Sequence, residues 1–167
     1  TQTDDFIISD VQYSKWSVGD SPFDGCSVTL TGVITTKSFR EGEREDSIFV
    51  MQSASSPWNG ILFDDWEGAT EFSVGDEITI TGKVEENDDR GYYGHSKWDH
   101  NTKLIDISDQ ALISSDNTVP SPIPVSTAVL AQDADNVESY EGCLVSVSNV
   151  TVTNLNTYDW SVVDGSD

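Results

Sequence analysis

The chain has 167 residues, of which 36% are hydrophobic, and a formal net charge of -22 at pH 7. This length provides for about one domain, or one and a half small ones, with a buried core, and the composition excludes a disordered chain. A surface this acidic repels phosphate backbones and anionic lipids, so nucleic acid and membrane insertion are not expected. The N-terminus lacks the basic start and apolar run of a signal peptide, so an exported chain would already have lost its signal.

Alternation of apolar and polar residues predicts β-strands along most of the chain. The runs 27–36 (SVTLTGVITT) and 77–86 (EITITGKVEE) place Val, Ile or Leu on one face and Thr on the other, as in antiparallel strands with one solvated side. Further strands are predicted for SIFVMQS from Ser47, GILFDD from Gly60, KLIDIS from Lys103, CLVSVSNVTVT from Cys143 and DWSVVD from Asp159. Helical periodicity is nearly absent, with VSTAVLAQD from Val125 as its best case. The sequence therefore predicts an all-β chain.

Two segments of the chain are similar at an offset of 117 residues, the separation of Cys26 and Cys143. Residues 24–37 read DGCSVTLTGVITTK and residues 141–154 read EGCLVSVSNVTVTN, each after an aromatic residue. A Pro-rich run, NTVPSPIPVS, lies between them and is typical of a linker. We therefore expect a first domain at 1–115, a linker at 116–124 and a partial second module at 125–167.

The second copy contains counterparts of only the first two strands. Nothing in it corresponds to GILFDD or to SVGDEITITGKV. An unfinished sheet has an open strand edge, which is prone to pair with other chains. Either the chain is a fragment of a longer protein, or a neighbouring subunit completes the sheet.

The pattern of the first copy resembles the oligonucleotide/oligosaccharide-binding (OB) fold modules of secreted bacterial nucleases and large cell-surface proteins. The resemblance rests on GCSVTLTGVIT from Gly25, PWNGILFDD from Pro57 and VGDEITITGKVEE from Val74. It covers residues 5–115, and residues 119–167 resemble the opening of a second module. It implies a five-stranded OB-like Greek-key barrel in which Gly82 lets the fourth strand bend. Modules of this family are generally accessory domains without catalytic residues, so no active-site motif is implied.

The resemblance favours ligand binding on the second and third strands, where aromatic residues occur. These aromatic residues are Phe49, Trp58, Phe63 and Trp66. Proteins that bind single strands also need a basic groove, but the basic residues of 37–44 alternate with Glu. Phe49 and Phe63 are interpreted as core residues, whereas Trp58 and Trp66 either pack on the end of the barrel or contact a ligand.

The segment DRGYYGHSKWDHNT, residues 89–102, is predicted to be the hairpin between the fourth and fifth strands. Its aromatic residues Tyr92, Tyr93 and Trp98 either bind a ligand such as a polysaccharide or pack on another domain or subunit.

Two acidic runs are candidates for a calcium site, because Ca²⁺ takes six to eight oxygen ligands from closely spaced acidic residues. The first run, FDDWEG, contains Asp64 and Asp65, and the second, EENDDRG, contains Glu86, Asp88 and Asp89. The alternative is a solvated acidic loop adapted to salt. Calcium is the one cofactor that the sequence suggests.

The sequence contains no arrangement typical of a catalytic nucleophile. There is no G-x-S-x-G elbow, and neither cysteine has a histidine nearby in sequence. Cys26 and Cys143 are expected to be free buried thiols or to form an intermolecular link. A bridge within the chain is disfavoured, because equivalent ends of two barrels are usually farther apart than the roughly 7 Å that a disulfide allows between Cα atoms.

The sequence thus favours a non-catalytic binding or spacer module of an exported protein, located outside the cell or at its surface. One alternative is a structural subunit of a filament or array whose incomplete module is completed by a neighbouring chain. Another is a carbohydrate-binding module. The expected partners are other domains of a longer chain, identical subunits or polysaccharide.

Overall fold

The computed structural model describes residues 6–15, 19–37, 47–65, 72–86, 101–131, 134, 136–155 and 160–166. Its helix and strands are α1 (Ile8–Gln12), β1 (Ser27–Lys37), β2 (Ser47–Gln52), β3 (Gly60–Asp65), β4 (Glu77–Glu86), β5 (Thr102–Ser114), β6 (Ile123–Pro124), β7 (Val145–Ser146), β8 (Thr151–Leu155) and β9 (Trp160–Val163). Two short 3₁₀ turns occur at Thr127–Leu130 and Val137–Tyr140. No helix among these residues is long and apolar enough to cross a membrane.

Strands β1 to β5 form a closed barrel in the order β1-β2-β3-β5-β4. Neighbouring strands are antiparallel except β3 and β5, which are parallel at Leu62 and Lys103. Strand β1 closes the barrel because its first half pairs with β4 and its second half pairs with β2, with a bulge between Ile34 and Thr36. Such bulges bend a strand around a barrel. The all-β, five-stranded barrel expected from the sequence is confirmed.

The alternating pattern of β1 and β4 produces the core on one face and a solvated ladder on the other. Leu30 and Ile80 are fully buried, whereas the hydroxyls of Thr29 and Thr81 meet outside at 2.8 Å. Gly82 lies at a register shift between β4 and β5, and a Cβ there would lie 2.8 Å from Ile107 Cδ1. Among the described residues, the buried hydrophobic residues of the core lie between positions 8 and 104. The barrel therefore contains its own core.

Helix α1, which the sequence analysis does not predict, contributes to this core. Ile8 and Val11 are fully buried against the barrel. Because these residues face inward, the intervening Ser9 and Asp10 lie on the outer side of the turn.

The C-terminal segment, residues 117–166, contains two small two-stranded sheets, β6-β7 and β8-β9. Strand β6 occupies the last two residues of the expected linker. The single strand predicted from Cys143 is interrupted between β7 and β8, where Asn149 has a φ of 56°. Asp164 directly follows β9, and Thr127 begins the first 3₁₀ turn. The Asp164 carboxylate accepts hydrogen bonds from the backbone N–H and hydroxyl of Thr127, and these bonds connect β9 to that turn.

Two turns of the chain share one hydrogen-bond pattern. In the first turn, residues 21–26, the Asp24 N–H donates to the carbonyl of Ser21 and the Cys26 N–H donates to that of Phe23. In the second turn, residues 138–143, the N–H groups of Glu141 and Cys143 donate in the same way to the carbonyls of Glu138 and Tyr140. The glycines of the two turns, Gly25 and Gly142, have φ of 79° and 61°.

Candidate functional site: an aromatic cleft beside the second turn

A cleft of about 570 Å³ lies between α1, the first turn and the β2-β3 loop, residues 53–59. Its volume falls within the roughly 300 to 1,000 Å³ of small-molecule sites. Four aromatic side chains dominate its wall: Phe6, Tyr13, Phe23 and Trp58. Pro57, Ser9 and Asp10 complete the lining. The site is therefore mainly apolar, with a carboxylate among its few polar groups.

The aromatic rings form two edge-to-face pairs. The centroids of Phe6 and Phe23 are 5.0 Å apart with an interplanar angle of 69°. Tyr13 and Trp58 are 5.5 Å apart at 75°. This arrangement is one that aromatic side chains prefer, because the positive edge of one ring meets the negative face of the other. Tyr13 is also 56% exposed, so part of the cleft wall is open to solvent.

The start of α1 fixes the position of Asp10. Asp10 Oδ2 accepts a hydrogen bond from the N–H of Ile7 at 3.0 Å, and the Asp10 N–H donates to the Ile7 carbonyl at 2.9 Å. These reciprocal bonds form a capping interaction at the first turn of the helix. The carboxylate is thereby held at the cleft by the backbone of its own turn.

Trp58 is held in place by its loop and by the C-terminal segment. Its φ of 66° is in the left-handed region, which costs a non-glycine residue about 1 kcal/mol or more. The Asn59 side chain braces the loop by donating to Ser56 Oγ at 2.9 Å and to the Pro57 carbonyl at 2.8 Å. The Trp58 N–H donates to the carbonyl of Ser139 at 2.6 Å. The second turn thus helps to position the largest ring of the cleft.

The backbone of the second turn lies directly on the barrel at Gly60. A Cβ on Gly142 would lie 2.8 Å from both the carbonyl carbon of Gly60 and the nitrogen of Ile61, and a Cβ on Gly60 would overlap the Gly142 carbonyl. Only glycine at both positions allows this approach. The Leu144 N–H also donates to Oε1 of the fully buried Gln52 at 2.9 Å.

Beside this contact, the Glu141 carboxyl group is turned toward the barrel. It accepts a hydrogen bond from the backbone N–H of Thr102, while its Oε1 is buried and has no partner among the described residues. Burial, followed by repulsion from Glu138 and Glu86, raises the pKa of Glu141 to about 9. Glu86 is itself bonded to the Ser21 N–H at 2.8 Å and to the Thr102 hydroxyl at 2.7 Å. Glu141 is therefore protonated at neutral pH.

Of the aromatic residues proposed as ligand contacts, the structure brings Trp58 into the cleft. The others, Trp66, Tyr92, Tyr93 and Trp98, lie outside the described residues. Phe63 is fully buried in the core, as the sequence analysis expects. The sequence analysis does not single out Phe6, Tyr13 or Asp10 as site residues. Phe23 enters that analysis only as the aromatic residue before the repeated acid-Gly-Cys motif, and not as a site residue.

The candidate calcium ligands fall mostly outside the described part of the chain. Asp88 and Asp89 lie outside it, and Asp64 and Asp65 are described only as the end of β3. Among the residues that the structure describes, no group of three His, Cys, Asp or Glu side chains is arranged to hold a metal ion. Calcium at the acidic runs stays a prediction.

Both cysteines are free within the chain. Cys26 is exposed, whereas Cys143 is half-buried and its Sγ lies 3.8 Å from the carbonyl oxygen of Ser56. Burial raises the pKa of the Cys143 thiol.

A scan against protein-family models finds no matching family, and a search of curated proteins finds no match.

Proposed function

We propose that the chain is a non-catalytic spacer and binding module of an exported surface protein, built from OB-like units in tandem. The observation that carries this proposal is the packing of the second turn on the barrel at Gly60. Contact between two glycine backbones, together with the Trp58 and Leu144 hydrogen bonds, restricts the motion of the C-terminal segment relative to the barrel. A spacer needs such a fixed connection in order to hold successive units at a defined angle.

The two turns support the tandem arrangement. They are separated by 117 residues, share the same two backbone hydrogen bonds and place a left-handed glycine at the same position. The strand pairs that follow are also alike, because β1-β2 and β8-β9 each contain one bulge, after Ile34 and after Val152. The formal net charge of -22 supports a salt-exposed location, because a strongly acidic protein stays soluble in salt.

Backbone ¹⁵N relaxation tests the fixed connection. We expect the amides of Leu144 and Val145 to report the same rotational correlation time as the amide of Leu30 in the barrel core. A distinctly shorter correlation time for the C-terminal segment would contradict the spacer function, because the two parts would then be joined by a flexible tether.

A second candidate is a structural subunit whose C-terminal sheet is completed by a neighbouring chain. The observation in its favour is the exposure of apolar side chains on and beside β8: Val150, Val152 and Leu155 are 38%, 59% and 78% exposed. Apolar residues at an open strand edge promote pairing between chains.

Light scattering over a range of concentrations distinguishes the two candidates. Large assemblies of the wild type that are absent in Leu155→Lys would favour the structural subunit. A wild-type chain that is monomeric at all concentrations would exclude the structural subunit.

A further inference from the structure

We propose that the aromatic cleft binds an organic cation, and specifically the arginine or lysine side chain of a basic partner protein. The proposal is independent of the spacer function, because it concerns the surface formed by α1, the first turn and the β2-β3 loop. It combines three features of the cleft: the aromatic wall, the carboxylate of Asp10 and the sign of the protein's charge.

The aromatic wall provides the faces that attract cations. A guanidinium or ammonium group within about 6 Å of a ring centroid is attracted to the negative face of the ring, most strongly for Trp. Here the rings of Tyr13 and Trp58 stand 5.5 Å apart at 75°, so a group placed beside one ring also lies near the other. Arginine also stacks on aromatic faces through its planar guanidinium.

The charge that lines the cleft among the described residues is negative. Asp10 is a carboxylate, and neither Lys nor Arg lines the cleft in the part of the chain that the structure describes. One hydrogen bond from Ile7 uses a single acceptor position of that carboxylate. Since a carboxylate has about four such positions, Asp10 retains capacity for a donor from the ligand. The surrounding charge of -22 adds long-range attraction for a basic partner.

A neutral ligand matches these features less well. A saccharide needs several directional hydrogen-bond partners, and among the described residues the cleft offers the side chains of Ser9 and Asp10, the Tyr13 hydroxyl and the Trp58 indole N–H. The open side of the cleft at Tyr13 also favours a side chain presented from a larger molecule, because the remainder of the ligand can stay in solvent.

Isothermal titration calorimetry tests the proposal by measuring the affinity of the whole chain for a tetra-arginine peptide. The titration is done in roughly 0.15 M salt, where long-range attraction is largely screened. A tetra-citrulline peptide serves as the uncharged probe of matched shape. Tyr13→Ala removes a ring and Asp10→Asn removes the charge but keeps an acceptor for the Ile7 N–H. Tyr13→Phe, which keeps the ring, and Asp109→Asn, which removes an exposed carboxylate on β5 outside the cleft, are the matched controls.

We expect the affinity for tetra-arginine to fall roughly three- to tenfold in Tyr13→Ala and in Asp10→Asn, with little change in the two controls and no binding of tetra-citrulline. Equal weakening by Asp10→Asn and Asp109→Asn would overturn the proposal, because binding would then be diffuse charge attraction. Binding of tetra-citrulline or of an uncharged oligosaccharide with the same dependence on Tyr13 would also overturn it. Should Tyr13→Ala fail to fold, the two Asp variants still decide the question.

Discussion

The first and second turns share one backbone hydrogen-bond pattern but have different surroundings. In the first turn, the Gly25 N–H donates to Val84 of the barrel's own sheet, and a Cβ at Gly25 would have no neighbour within 4 Å among the described residues. In the second turn, the equivalent glycine lies against Gly60 of a different element. The sequence motif therefore determines the turn, and the surroundings determine whether the turn also forms a contact. This difference provides three matched pairs of positions: Gly25 with Gly142, Asp24 with Glu141 and Cys26 with Cys143.

The largest effect is expected at the glycine pair. Alanine at either position must adopt a left-handed φ, which costs about 1 kcal/mol. Gly142→Ala also forces a Cβ against the Gly60 backbone, which adds about 1 to 3 kcal/mol of overpacking or separates the two parts. We therefore expect limited proteolysis to cut the C-terminal segment of Gly142→Ala much faster than that of Gly25→Ala, while the barrel stays folded in both. Equal cleavage rates would mean that the Gly60 contact does not hold the segment.

At the acidic pair, we expect the stability contribution of Glu141 to depend on pH. In the folded protein Glu141 keeps its proton up to a pKa of about 9, whereas in the unfolded chain it loses the proton near its ordinary value of 4.5. Unfolding in this window releases a proton, so the contribution of Glu141 to stability falls as pH rises from about 4.5 to about 9. Glu141→Gln removes this loss.

Thermal unfolding at several pH values checks the prediction for Glu141. We expect Glu141→Gln to melt near the wild type at pH 4 and roughly 10 °C or more above it at pH 8.5. Asp24→Asn is the matched control, because Asp24 occupies the equivalent position of the first turn and is exposed. Its carboxylate accepts a hydrogen bond from the Glu86 N–H at 3.2 Å. Parallel slopes for wild type and Glu141→Gln would show that Glu141 is charged in the folded protein.

These contrasts also show why the sequence predicted the barrel better than the cleft. Strands β1 and β4 are long and alternate over most of their length, so the local pattern alone identifies their buried faces. The cleft depends on contacts between distant positions, such as Tyr13 with Trp58 and Trp58 with Ser139. Helix α1 has only five residues, too few for a helical period to be recognised. The repeated acid-Gly-Cys motif occurs at both turns, but a motif of this kind does not reveal which copy meets Gly60.

The smallest effect is expected at the cysteine pair. There the two thiols are expected to differ in their rate of alkylation, without a change in protein stability. Cys26 is exposed, whereas Cys143 is half-buried and burial raises its pKa, so less of its reactive thiolate is present near neutral pH. We expect iodoacetamide to label Cys26 roughly tenfold faster than Cys143 at pH 8, as followed by peptide mass spectrometry. In Gly142→Ala the second turn leaves the barrel, so the two rates should converge. If the rates already agree in the wild type, Cys143 is accessible and the second turn is not packed on the β2-β3 loop. If they stay apart in Gly142→Ala, the protection of Cys143 arises within its own turn and not from the contact with Gly60.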